Sequence, residues 1–298
     1  MIGEVKKGDI MKTGIQFSLY GGARKRWGEE FYKKIVKAGF SCLDFDMCNT
    51  ESELYTLPFE EVKEILAKEK ELMDAAGIGL WQMHGPWRWP CKDYTEEDRE
   101  ERMEKCKRSI RVAEFFGCKY WVIHPIMPFY VDDIGTVDEP KTWDYNIEFM
   151  TELLKFAKQY DVTICLENMP FTNFSLSKPC DILRFVKTIN DQNFKICLDT
   201  GHISVFGSDL SLYDEIKRLG SEIKVLHVHD NKCIGDEHLL PFLGSIDWQK
   251  VCLALQEIGF DGVLSLETAP PMALNDDNFE KMYSVYAGCA KQLADDIR

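Results

Sequence analysis

One phrase recurs along this chain of 298 residues. A helix-like stretch ends on a small residue or glycine, and a short, continuously apolar run follows. IVKAG leads into FSCLDFDM, LMDAAG into IGLWQMHG, and AEFFG into CKYWVIHP. Later, KRLG leads into SEIKVLHVHD and LQEIG into FDGVLSLET. Gly39, Gly77, Gly117, Gly220 and Gly259 fall where a helix ends and the backbone turns to positive φ. The apolar runs leave no alternate position for water. Such runs read as strands of a parallel sheet that is covered on both faces.

Two more units, FAKQYD–VTICLEN and VKTINDQN–FKICLDT, lack the glycine, and Asp161 and the cluster at 190–193 are suited to make the turn instead. With TGIQFSLY in front, eight strands are expected, near 13–20, 41–46, 79–84, 119–124, 162–167, 194–199, 223–229 and 262–267. Helical stretches separate them, one opening on the capping pattern Thr95-x-x-Asp98, and residues 278–297 supply the last. Eight βα units predict an α/β chain folded as one (β/α)₈ TIM barrel. A single domain is expected over residues 1–298, with 1–10 a loose N-terminal extension. The alternative, an open doubly wound sheet, usually carries a glycine-rich phosphate turn after its first strand. Here Gly21-Gly22 runs into Ala-Arg-Lys-Arg with no GxGxxG.

Composition narrows the setting. The 11 cysteines form no CxxC pair, and Cys42, Cys165, Cys197 and Cys252 sit inside apolar runs. They read as reduced core thiols of a cytoplasmic protein rather than disulfides or a thiolate metal site. The N-terminus lacks the apolar stretch of a secretory signal, and no run is long enough to cross a membrane. A net charge of −14 repels nucleic acid at long range, so nucleic acid is disfavoured as a partner.

In a barrel of this kind the active site sits at the C-terminal ends of the strands. From the third strand to the eighth, those ends read QMHG, VIHP, CLEN, CLDTGH, VLHVHD and SLET. Each alone has a plain structural explanation: a hydrogen-bonded histidine, a turn, a helix start. Six at equivalent places mark a metal or acid–base site. Three carboxylates, Glu167, Asp199 and Glu267, would crowd one mouth, and a divalent cation relieves their repulsion. No thiolate is aligned with them, which favours Mn²⁺, Co²⁺, Mg²⁺ or Zn²⁺. Strand parity puts Cys165 and Cys197 one layer below Glu167 and Asp199. Asp199-Thr200-Gly201 also spells the aspartic-protease triplet, but no second copy accompanies it.

These motifs resemble the xylose-isomerase-like barrel superfamily, over most of the chain from GIQFSLY to LSLET. Its members include sugar phosphate isomerases and epimerases and the type-four apurinic-site endonucleases. The most specific segment is LHVHDNKCIGDEHLLPFLGSIDW, residues 226–248. It is similar to the HxxD…DEHLxPGxGxIDW segment of sugar phosphate isomerase/epimerase-like proteins, except that Phe242 and Ser245 flank a single Leu243-Gly244. The resemblance implies one divalent metal ion held by Glu167, Asp199, His227 and Glu267. His229 shares a strand face with His227, and the spacing of histidine three before aspartate selects His227. His84, Trp87, His124, His202, His229, Asp236 and His238 are then candidates for substrate contact. Trp87 and Trp89, in HGPWRWP, either stack on a sugar face or pack a lid.

The implied activity is isomerisation or epimerisation of a sugar or sugar phosphate through an enediolate. Glu167 and Glu267 would serve as the proton-transferring carboxylates. Four alternatives stay open. The endonucleases bind three zinc ions through nine ligands, and His84, His124, Glu167, Asp199, His202, His227, Asp236, His238 and Glu267 offer suitable types. Against this, HGPWRWP, LDTGHISVFG and HVHDN depart from their HAPY-like, DTCH-like and HLNDS-like phrases. A metal-dependent dehydratase, or a C-glycoside-cleaving subunit with a small partner chain, would use the same face. A non-enzymatic scaffold would tolerate loss of the strand-end acids. The expected partner is a small sugar, not a membrane, and a homo-oligomer stays open.

Overall fold

The computed structural model describes residues 11–129 and 139–297. The extension expected over residues 1–10 lies outside them. In chain order the elements begin with β1 (Thr13–Ser18), α1 (Gly22–Trp27), α2 (Phe31–Ala38), β2 (Cys42–Asp46), α3 (Glu53–Thr56) and α4 (Phe59–Ala76). Next come β3 (Gly79–His84), α5 (Glu96–Phe116), β4 (Tyr120–Ile123), α6 (Glu139–Ala157), β5 (Thr163–Glu167), α7 (Pro179–Ile189) and β6 (Phe194–Asp199). The last are α8 (Thr200–Ser204), α9 (Leu212–Leu219), β7 (Ile223–His227), α10 (Trp248–Glu257), β8 (Leu264–Leu266) and α11 (Asp276–Asp296). Among the described residues no helix is long and apolar enough to cross a membrane.

The eight strands form one sheet in the order β7-β6-β5-β4-β3-β2-β1-β8. The seam between β7 and β8 is closed just beyond His227. There Val228 N–H donates to Ser265 O at 2.8 Å and Glu267 N–H donates to Val228 O at 3.1 Å. The result is the expected TIM barrel. The turn chemistry follows the sequence closely. Gly39, Gly77, Gly117, Gly220 and Gly259 all adopt positive φ, and Asp161 (φ 54°) and Asn190 (φ 51°) do the same in the units without glycine. At the start of α5, Thr95 Oγ1 accepts the Asp98 N–H at 3.0 Å.

The two faces of the sheet differ. Outward residues such as Ile15, Phe45, Trp121, Ile164, Ile196 and Leu226 merge with the helices in one large core. Inside, Val122, Cys165, Cys197 and Val225 form a small cluster of their own, with Trp81 and Tyr120 against it. Alternation along β5 and β6 therefore lifts Glu167 and Asp199 directly above two small thiols. On the other side of the barrel the interior is polar. Gln16, Asp44 and Gln82 lie side by side in register on β1, β2 and β3.

The cysteine layer has little room to spare. Cys165→Leu should lower the unfolding free energy by about 1–3 kcal/mol through overpacking. Urea denaturation of the purified chain measures this. An unchanged midpoint would mean that the interior can absorb the extra methylenes.

Candidate metal centre

The chain has six histidines, and ring contacts link all six at the C-terminal mouth of the barrel. Glu167, at the end of β5 and fully buried, is their hub. Its Oε1 lies 2.8 Å from His227 Nδ1, and its Oε2 lies 3.1 Å from His84 Nε2 and 3.0 Å from His124 Nε2. Burial alone would push this carboxyl up, but the charges of His227 and His124 outweigh it and hold it well below the usual range.

Glu167, Asp199, His227 and Glu267 bring one ligand-type atom each within 4.8 Å of one another. Strand ends β5, β6 and β7 and the residue just past β8 supply them. Asp199 Oδ1 accepts the His202 N–H at 2.6 Å, capping the short α8, and Oδ2 faces His229 Nε2 at 3.1 Å. Its carboxyl is held at about 2, because His202 and His229 overcome the penalty of burial. Glu267 differs. Gln16 Nε2 donates to its Oε1 at 2.8 Å, while Oε2 is buried, makes no hydrogen bond and lies 3.2 Å from His227 Nδ1. Burial pushes this carboxyl up. A buried orphan oxygen in an all-oxygen-and-imidazole set fits a divalent cation.

Three further groupings adjoin this one: His84, His124 and Glu167; His202, His229, Asp236 and His238; and Glu167 and His227 with Cys197, a thiol the sequence reading had not aligned with the carboxylates. Asp236 lies 3.1 Å from His238 Nε2 and 3.4 Å from His202 Nε2. Hydrogen bonds to backbone carbonyls turn three of the rings inward. His84 Nδ1 lies 2.9 Å from Gly85 O, His202 Nδ1 2.7 Å from Asn168 O, and His238 Nδ1 2.8 Å from Glu267 O. With the proton on Nδ1, each presents Nε2 to the pocket, the arrangement of a metal-ligating imidazole. His227 is reversed: Nε2 faces Asp44 Oδ2 at 3.0 Å, and Nδ1 faces the carboxylates.

The structure thus brings together every residue named from the strand ends and the Asp236–His238 loop. The two tryptophans stack on each other at 6.3 Å but meet different surroundings. Trp87 is half-buried and meets His124 edge-on at 4.5 Å, whereas Trp89 is half exposed and stacks on Phe171 at 5.0 Å. Several contributors went unnamed in the sequence reading. Asn168 clasps the Asp199 backbone, donating to its carbonyl at 3.0 Å and accepting from its N–H at 2.9 Å. Cys48 Sγ lies 3.1 Å from His84 Nδ1. Asp44, Gln16 and Gln82 could have been found as polar residues in the middle of apolar strands.

The loop from β7 to α10 is organised by Asp230, which is fully buried. It accepts hydrogen bonds from the backbone N–H of Phe242 and Ile246 and from Trp248 Nε1, at 3.0, 3.1 and 2.9 Å. A Cβ on Gly244 would lie 2.2 Å from Asp230 Oδ1, so that glycine has no substitute. Phe242, where the similar segments carry glycine, takes a φ of 78°.

The sequence model described as "Xylose isomerase-like TIM barrel" matches residues 32–285. The chain belongs to this xylose isomerase-like TIM-barrel family. An uncharacterized protein of Methanocaldococcus jannaschii, MJ1311, is 32% identical over 184 residues, 60% of this chain and 62% of that protein. The D-psicose 3-epimerase of Ruminiclostridium cellulolyticum is 25% identical over 265 residues, covering 86% of this chain and 83% of the epimerase. Among solved structures, a D-tagatose 3-epimerase-like protein superposes with a TM-score of 0.72 at 24% identity, covering 96% of this chain and 98% of its own. That likeness speaks for the family's barrel.

The strand-end cluster gives this chain a defined pH response when metal-free. Burial pushes His124 down to about 4, outweighing Glu167 beside it. Its unfolded form takes a proton first, so stability falls as pH drops from 6.5 toward 4. His202 and His238 go the other way. Burial opposes their charge, but Asp199 and Asp236 raise the first to about 10, and Asp236 and Glu267 raise the second to about 10. Their stabilisation is complete below 6.5 and is lost as pH rises to 10. Chelator-treated protein should therefore melt highest near pH 6.5 and lower on both sides. A melting temperature that is flat from about pH 5 to about pH 9 would contradict these assignments.

Proposed function

We propose that this chain is a divalent-metal-dependent isomerase or epimerase of a sugar or sugar phosphate. The observation that carries this reading is the convergence of Glu167, Asp199, His227 and Glu267, with a buried oxygen on Glu267 that makes no hydrogen bond. When bound there, a divalent cation supplies the positive charge that lowers the cost of an enediolate. The rest is work for the chain's own groups. Glu167 and Glu267 come from β5 and the end of β8, so they approach a bound sugar from different sides of the mouth. One removes a carbon-bound proton and the other returns it to the opposite face of the same carbon, which inverts a centre; return by the same carboxylate to the neighbouring carbon, with a proton passing between the two sugar oxygens, isomerises instead. His84, His124, His202 and His238 bring imidazole nitrogens to the sugar hydroxyls. Trp87 offers an apolar wall. The similarity to the D-psicose 3-epimerase over most of both chains supports the substrate class.

A second reading, an apurinic-site endonuclease with three zinc ions, is favoured by the two additional groupings around His84 and Asp236. One steric fact weighs against it. A Cβ on Gly201 would lie 1.9 Å from His229 Cε1. The histidine of HVHD therefore needs the glycine of DTGH, and the pair excludes the cysteine of a DTCH-like phrase. His229 holds Asp199 Oδ2 from the place where the endonuclease-like phrase has no histidine.

Metal analysis of the purified chain separates the two. About one Mn, Co, Mg or Zn per chain is expected for the first reading and about three Zn for the second, which abasic-site DNA incision would then confirm. With metal present, solvent deuterium should enter a ketose or its phosphate. No exchange across a broad sugar panel would overturn the isomerase assignment. Glu267→Gln should reduce turnover by about 100-fold or more, as expected for loss of a proton-transferring group. Wild-type turnover in that variant would remove Glu267 from the chemistry.

A further inference from the structure

The first three strands carry a polar layer that the proposed reaction does not use. Gln16, Asp44 and Gln82 are neighbours in register, one on each strand, inside the barrel. Asp44 and Gln82 have no exposed surface. A carboxylate in the middle of a fully buried strand is costly unless it is paired. Asp44 has two partners, and both meet the same oxygen. Gln82 Nε2 donates to Oδ2 at 2.8 Å, and His227 Nε2 lies 3.0 Å from it. The other oxygen, Oδ1, is buried without a hydrogen bond. Gln82 is itself fixed in orientation, because the same Nε2 also reaches Leu226 O at 3.1 Å. Turning its amide over would set an oxygen against the Asp44 carboxylate.

This geometry decides which nitrogen of His227 faces the carboxylates. A proton on Nε2 donates to Asp44, so Nδ1 is the nitrogen that faces the cage: with a proton it donates to Glu167, and without one its lone pair is free for a cation. Nδ1 lies 2.8 Å from Glu167 Oε1 and 3.2 Å from Glu267 Oε2. The other three backbone-anchored rings present Nε2, so His227 needs a separate device, and it comes from the opposite wall of the barrel.

We propose that Asp44 is a positioning residue for the metal centre, holding His227 with Nε2 protonated and Nδ1 directed at Glu167 and Glu267. The assignment rests on the metal-centre reading above. A carboxylate behind a histidine ligand orients the ring and raises its basicity, and removing such a partner typically weakens metal binding by about 10- to 100-fold. Gln82 in turn steadies Asp44, and Gln16 does the same service for Glu267.

The test uses the full chain, stripped with a chelator and titrated with Co²⁺ or Zn²⁺ alone. Asp44→Asn keeps the shape and an acceptor oxygen but removes the charge. It should weaken the dissociation constant by about tenfold or more while the metal-free melting temperature stays near wild type. Equal affinity in Asp44→Asn and wild type overturns the proposal and leaves the metal centre intact. Absence of any metal binding by wild type overturns the metal centre itself, and the proposal with it. A second measurement needs no Asp44 variant. In zinc-loaded wild type, ¹⁵N–¹H spectra should contain one imidazole with a protonated Nε2 and a metal-bearing Nδ1, a signal missing from His227→Asn. A His227 signal with the opposite pattern refutes the assignment.

Discussion

Four carboxylates share the interior of one barrel mouth, and the rest of the site answers to their charge. Asp44, Glu167 and Asp199 are fully buried, and the Glu267 side chain is only 13% exposed. Anions in such a place are destabilising unless positive charge reaches them. Among the described residues no lysine or arginine pairs with any of the four; histidines do. That choice has a chemical consequence. A lysine would neutralise the cage permanently, whereas an imidazole gives up its proton and offers a lone pair. The same rings that balance the charge of the metal-free protein are therefore equipped to hand that task to a cation.

Rigid supports keep the cage from relaxing. The β5 and β6 ends are clasped by Asn168, and the β7 loop is drawn onto Asp230 by three donors and the absence of a side chain at Gly244. The β4 end is held by Arg102, buried between loops. Its guanidinium pairs with Asp93 and donates to His124 O at 3.0 Å. Asp93 in turn accepts the Met127 N–H at 3.0 Å, so the loops after β3 and β4 are tied to each other. The ligand-type groups thus stand on strand ends, and each loop that carries a further group is tied by a buried polar anchor.

Some of this was legible residue by residue. The D in HVHD and the IDW that follows read as one family phrase, and the structure explains the phrase physically: Asp230 and Trp248 are hydrogen-bonded to each other. The missing glycine of PFLGSIDW was a departure without a visible cause. Phe242 accepts the left-handed backbone, and the glycine that survives, Gly244, is the one with no space for a Cβ. Asp44 stands out locally as a carboxylate in an apolar strand, but its partners lie 38 and 183 residues away in the chain. No local pattern announces a contact across a barrel.

The sequence by itself determined the number of strands, their order of occurrence, the glycines that end the helices and the polar residues at six strand ends. These depend on periodicity and backbone conformation, which are written within each unit. Only the tertiary structure decided how those residues group, which nitrogen each histidine presents, and that Gly201 makes room for His229. Such choices follow from closure of the sheet between β7 and β8, which sets the far wall against the near one. A hydrogen bond across that space depends on barrel stagger and on ring orientation, and neither is encoded in the spacing of residues along the chain.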